Sequence, residues 1–119
     1  MLPRRLRLRH SLDFQKVRQQ GNRWRNGALT VNLLPNSLEH NRFGVVVSRR
    51  VGKAVSRNRI KRQLRAVLQY WIPKLRTGYD IIVVAHPVSF TASSHELEKT
   101  LERLFKAAGL LSVEEHSKL

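Results

Sequence analysis

Hydrophobic and polar positions follow two rhythms along this chain. Leu29, Val31 and Leu33 alternate with Thr30 and Asn32, the period of two that turns one face of a strand toward a core. Leu29–Leu34 therefore reads as a strand. The stretch PNSLEHN, Pro35–Asn41, supplies turn residues. Phe43–Ser48 reads as the next strand, expected to run antiparallel to the first. In it Val45 and Val47 face the core, while Gly44, Val46 and Ser48 share the other face with Thr30 and Asn32. Tyr79–Ala85, YDIIVVA, is almost continuously apolar, which suits a central strand covered on both faces.

The second rhythm is helical. Ile60, Leu64, Val67, Leu68 and Trp71 fall on one stripe about 100° wide. They predict a helix over Ser56–Ile72, capped by Ser56, with Val55 stapled against Ile60; Pro73 and Gly78 bracket its exit. Leu97, Leu101, Leu104, Phe105 and Ala108 form another stripe, opened by a Ser93/Glu96 capping box and closed by Gly109. A shorter helix over Leu12–Gln20 has Ser11 as its cap, Asp13 in its first turn, Phe14 and Val17 on one face, and Gly21 as its stop. Residues 22–27 show no assignable element. The order helix, strand, strand, helix, strand, helix, with a short extra strand near Arg50–Val51, predicts an α+β fold: a small α/β sandwich with helices against one mixed sheet. Residues 1–111 read as a single domain opening with a basic arm, 1–10. Residues 112–119 read as a polar tail expected to fray.

Charge changes this picture from fold to partner. The 119 residues carry a formal net charge of +15, which speaks for a polyanionic partner rather than for a fold. The excess is regional. Residues 1–76 hold 19 Lys/Arg against Asp13 and Glu39, whereas residues 77–119 hold 4 against 6 acids. Arg outnumbers Lys 16 to 7; its planar fork grips phosphate and stacks on bases, which points to nucleic acid. There is no cysteine, so disulfide and thiolate chemistry are excluded. No run approaches the ~20 apolar residues of a membrane span, and MLPRRLRLRH is followed by no apolar segment of a secretory signal. A cytoplasmic location is expected.

The charge peaks in SRRVGKAVSRNRIKRQLR, Ser48–Arg65, with eight cations and no acid. Asn58, Arg62, Arg65 and Gln69 lie on the helix face opposite the apolar stripe. Lys61 lies nearer the stripe, and Arg59 flanks its other side. Arg57 and Arg59, placed in the first turn by a Ser56 cap, oppose the helix dipole at about 0.3–1 kcal/mol each. A phosphate at that N-terminus would reverse the sign. A merely solvated face would be served as well by mixed charges.

Other chemistry is poorly supported. Gly44 and Gly52-Lys53 miss phosphate-loop spacing, with Ala54 where a metal-binding hydroxyl would stand. The five histidines lack metal-ligand spacing and read as surface residues. No paired carboxylates or nucleophile motif stand out. Trp71 reads as core. Trp24, between Arg23 and Arg25, is either a base-stacking residue or a packed loop aromatic.

Three motifs in order carry a resemblance: RLRHSLDF (Arg7–Phe14), the Ser48–Arg65 stretch with its Arg-Asn-Arg, and YDIIVVAHP followed by a terminal helix. Over residues 5–110 the chain resembles the protein subunit of bacterial ribonuclease P. The resemblance implies a four-stranded mixed sheet with a left-handed βαβ crossover, like domains of ribosomal proteins and elongation factor G. It implies partnership with a catalytic RNA that removes the 5′ leader of precursor tRNA, using Mg²⁺ held mainly by RNA and substrate. No protein catalytic residue, protein-bound metal, small-molecule cofactor or membrane partner is implied. Arg49, Arg50, Lys53, Arg57, Asn58, Arg59, Lys61, Arg62 and Arg65 match the positions that contact the catalytic RNA. Phe14, Arg18, Thr30, Asn32, Val46 and Ser48 match the leader-binding cleft. Relatives often carry an aromatic where this chain has Arg18 and Asn32, so phosphate and hydrogen-bond contacts are expected there in place of base stacking. His86 stands where a basic residue is common.

A ribosomal or ribonucleoprotein-assembly protein with no processing role needs the same composition. Cleavage of precursor tRNA upon reconstitution separates the two. A standalone nuclease lacks paired acids, and a duplex-DNA reader lacks a helix-turn-helix signature.

Overall fold

The computed structural model describes residues 2–111, so the expected tail 112–119 lies outside the described residues. The elements are α1 (Ser11–Gln20), β1 (Asn22–Asn26), β2 (Leu29–Pro35), β3 (Arg42–Val47), α2 (Ala54–Trp71), β4 (Tyr79–Ala85) and α3 (Ser94–Ala107). Short 3-10 turns occupy Arg4–Leu6, Arg49–Val51, Ile72–Lys74 and Pro87–Thr91. The four strands form one mixed sheet in the order β1-β2-β4-β3. β2 is antiparallel to β1 and to β4, and β3 is parallel to β4.

The α+β class and the central position of β4 agree with the sequence. Two details of the sheet differ. β3 runs antiparallel to β2 but is not its neighbour, because β4 lies between them. The almost wholly apolar β4 buries both its faces only in that place: Ile81 and Val83 enter one core, Ile82 the other. The extra strand is Asn22–Asn26, whereas Arg49–Val51 is a 3-10 turn whose Arg50 N–H donates to the Ser48 hydroxyl at 3.2 Å. β1 alternates as Arg23, Trp24, Arg25 and has a single apolar side chain to bury, too little for hydrophobic periodicity to register. A two-residue loop joins β1 to β2, with Gly27 at φ 55° in its first position. Positive φ there matches the hairpin twist.

Two helix starts also shift. α1 begins at Ser11, so His10, not Ser11, holds the cap position. α2 begins at Ala54, since the Arg57 N–H already donates to the Lys53 carbonyl at 3.0 Å. Gly52 turns the chain just before it, at φ 149° and ψ −157°, a region open essentially to glycine alone. Ser56 is therefore inside the helix, and Val55, 80% exposed, staples nothing. The Ser93/Glu96 capping box of α3 forms as expected.

The main core lies between one sheet face and α2 plus α3. Leu29, Val31, Leu33, Phe43, Ile81 and Val83 meet Ile60, Leu64, Leu68, Leu97, Leu101 and Phe105. Trp71 joins it, edge-on to Phe105 with centroids 6.5 Å apart. Trp24, half-buried, also packs on this core, as a packed aromatic would. Across the sheet, Phe14 and Val17 of α1 form a smaller cluster with Leu8, Leu34, Val46, Ile82 and Val84. Arg42 fastens this side. It donates to Asp80 at 2.8 and 2.7 Å and stands 3.6 Å from Asp13. The hydrogen bond to Asp80 holds the Arg42 guanidinium above its ordinary value despite partial burial. The N-terminal arm is bound, not free. Leu2 and Leu8 are buried, and the Leu8 N–H donates to the Phe43 carbonyl at 2.8 Å, which covers part of the β3 edge.

Candidate nucleic-acid interface

The first surface is the outer face of α2. Ile60, Leu64, Leu68 and Trp71 anchor the helix, which leaves Asn58, Arg62 and Gln69 exposed and Lys61 and Arg65 half-buried. Arg62, Arg65, Ala66 and Gln69 line a shallow groove of about 160 Å³. Arg49, Arg50 and Lys53 stand exposed just before the helix. Among the described residues, ion pairs join Arg42 to Asp13 and Asp80, and Lys106 to Glu102. None involves a cation between Ser48 and Arg65, so no carboxylate among the described residues neutralises this charge.

Arg57 and Arg59 do not converge on the helix start. Arg57 donates to the Gly52 carbonyl at 2.6 Å and Arg59 to the Phe90 carbonyl at 3.3 Å. With Ala54 as the first helical residue, Arg59 also lies beyond the first turn. The dipole conflict expected from a Ser56 cap is thus smaller, and neutral carbonyls absorb part of it without cancelling either charge.

The second surface is concave. α1 covers only part of its sheet face, and beside it Arg18, Arg23, Arg25, Thr30, Asn32, Val84 and His86 line a cavity of about 260 Å³. The β1–β2 register sets Arg23 against Asn32 and Arg25 against Thr30. Since Trp24 points into the core, both arginines share the cleft face with Thr30 and Asn32. The floor is polar and enclosed, with Thr30 4% and Asn32 5% exposed. A His86 ring nitrogen lies 2.6 Å from the Thr30 hydroxyl. Burial, then the nearby Arg25 charge, pushes His86 below its ordinary value. Among the described residues, no carboxylate lines this cavity.

Of the cleft residues expected from the sequence, Arg18, Thr30 and Asn32 come together here. Phe14 and Val46 pack next to it in the smaller cluster. The Cε1–Cζ edge of the Phe14 ring abuts Gly44, where a Cβ would come within 2.5 Å of it. Ser48 caps the following 3-10 turn. Sequence reasoning missed Arg23 and Arg25 and treated His86 as a surface residue. The Arg-Trp-Arg alternation was the available signal, legible once 22–26 is known to be a strand. No group of three or more His, Asp or Glu among the described residues is placed to hold a metal ion, and no helix among them is long and apolar enough to cross a membrane.

The chain is similar to known proteins in sequence and in fold. A family model described as ribonuclease P matches residues 2–109. The chain is 40% identical to the ribonuclease P protein component of Synechocystis over 112 residues, covering 92% of this chain and 90% of the relative. It is 35% identical to that of Syntrophomonas wolfei, covering 94% of each. Among solved structures it is similar to the RNase P protein of Staphylococcus aureus, with TM-score 0.83, 29% identity, and 90% and 98% of the two chains covered. The RNase P protein of Thermotoga maritima gives TM-score 0.78 at 28% identity, covering 85% and 96%.

Proposed function

The chain belongs to the protein-component family of ribonuclease P, a tRNA-processing ribonucleoprotein endonuclease, and from that premise we propose that its two surfaces divide the work of the complex. The α2 face docks on the catalytic RNA. The cleft holds the single-stranded 5′ leader of precursor tRNA. The RNA performs the cleavage, with Mg²⁺ held by RNA and substrate. The acid-poor surfaces support that last point, because among the described residues neither offers the carboxylates that hold a hard cation.

The observation that carries this reading is the unneutralised charge of Ser48–Arg65. Eight cations with no carboxylate partner among the described residues repel one another, and a phosphate backbone relieves that repulsion while counterions return to bulk water. The cleft suits a strand more than a duplex. Its polar floor is enclosed, and its cations come from α1 on one side and β1 on the other. Arg18, Arg23 and Arg25 take phosphates, while Thr30, Asn32 and His86 offer hydrogen bonds to sugar or base edges.

Reconstitution tests this directly. Added to the catalytic RNA at low Mg²⁺, the protein is expected to accelerate removal of the leader from precursor tRNA. Binding to the RNA with no gain in cleavage would leave a packing protein without a processing role.

A further inference from the structure

Arg59 leads to a feature at the margin of the first surface, beside the start of α2. Its guanidinium carbon lies 5.8 Å from the ring centroid of Phe90, in the 3-10 turn Pro87–Thr91. Phe90 is 45% exposed. The ring is held in place and does not simply trail in solvent. Arg59 grips the Phe90 carbonyl at 3.3 Å. Ser89, fully buried, donates its hydroxyl to the His86 carbonyl at 2.6 Å and so pins the turn. Gly52 borders the ring, since a Cβ there would sit 3.7 Å from it. Val88 and Val55, 61% and 80% exposed, add apolar surface on the same turn and on the first turn of α2.

The surroundings of this patch are cationic. The turn Arg49–Val51 packs against Pro87–Thr91 and exposes Arg49 and Arg50, and Lys53 is exposed between that turn and α2. Neither Ser48–Arg65 nor His86–His95 contains an Asp or Glu. An aromatic face inside a rim of cations matches one chemical unit in particular, a nucleotide out of its helical stack, which brings a π-face and a phosphate together. A protein partner would have to supply apolar residues at the centre and carboxylates around them.

We propose that Phe90 is a stacking platform for one unpaired base of the RNA partner, with Arg59 and its neighbouring cations holding the adjoining phosphates. This rests on the RNA-docking reading and adds a base contact to a surface otherwise read as binding phosphate alone. It places a bulged or looped nucleotide, not continuous duplex, against the start of α2.

The test compares Phe90→Ala and Phe90→Trp with wild type in binding to the catalytic RNA across a salt series, with thermal unfolding as the control for folding. Phe90→Ala is expected to weaken binding about tenfold, the typical loss for one stacked base, with the slope of log affinity against log salt unchanged. Phe90→Trp is expected to restore affinity, with its added indole fluorescence quenched on binding. Wild-type affinity in Phe90→Ala, while Arg62→Ala/Arg65→Ala weakens binding, overturns the platform and leaves RNA docking intact. Loss of self-association in Phe90→Ala, read by sedimentation at unchanged RNA affinity, also overturns it and marks the patch as a face between copies of the chain. Failure of the wild-type protein to bind the RNA removes the underlying reading as well.

Discussion

The α2 face and the cleft both present cations, yet they are built in opposite ways. The α2 face comes from one continuous segment. Its stripe of Ile60, Leu64, Leu68 and Trp71 fixes which way Arg62 and Arg65 point, so local periodicity determines the surface. The cleft takes Arg18 from α1, Arg23 and Arg25 from β1, Thr30 and Asn32 from β2, and Val84 and His86 from β4 and its exit. Its cations converge only because the sheet order and register bring them together. A convex helical face suits the outside of a folded RNA, where added phosphate contacts strengthen binding wherever they fall. A concave site with an enclosed polar floor suits one strand threaded between two walls.

The largest expected effect breaks the convex surface alone. Arg62→Ala/Arg65→Ala should weaken assembly with the catalytic RNA and reduce the slope of log affinity against log salt by about 1 per lost phosphate contact. An unchanged slope, read from filter binding between low and moderate salt, would mean these guanidiniums meet no phosphate.

The next effect separates shape from charge. Gly44→Ala drives a methyl into the Phe14 ring, which lies 2.5 Å from the new Cβ position. Overpacking of this kind costs about 1–3 kcal/mol. Urea unfolding should show that loss, and Phe14→Ala/Gly44→Ala should be less destabilised than the sum of its two single variants, because the clash is gone. Additive losses would show that Phe14 does not require the glycine.

How much was legible follows the same division. β2 and α3 could be read because their apolar residues keep one period, β4 because its apolar run is almost unbroken, and α3 also carries a capping box. The outward face of α2 was legible for the same reason, although its start was placed two residues late: Ser56 looks like a cap, while Gly52 sets the actual turn. β1 was not legible. Its core contact is Trp24 alone, Arg23 and Arg25 face the cleft, and Asn22 and Asn26 close the two ends of the strand. A polar cleft face erased the hydrophobic signal that would have revealed the strand. His86 was hidden likewise, since only the β2–β4 pairing brings it to Thr30.

The smallest expected effect sharpens the cleft. Burial and Arg25 both disfavour protonated His86. Its NMR titration midpoint should lie below the ordinary histidine value and rise in Arg25→Ala. The sign for stability follows: the unfolded chain takes up the proton first, so stability is full above histidine's ordinary value and declines as pH falls through the lowered folded value. A midpoint indifferent to Arg25 would place that guanidinium away from the ring.

The division of labour itself is tested by one comparison: affinity for precursor tRNA minus affinity for the same tRNA without its leader, measured with protein saturating the catalytic RNA. Arg23→Ala/Arg25→Ala should erase most of that difference, whereas Arg62→Ala/Arg65→Ala should preserve it once assembly is driven to completion. Equal loss in the two double variants would contradict separate surfaces for catalytic RNA and leader.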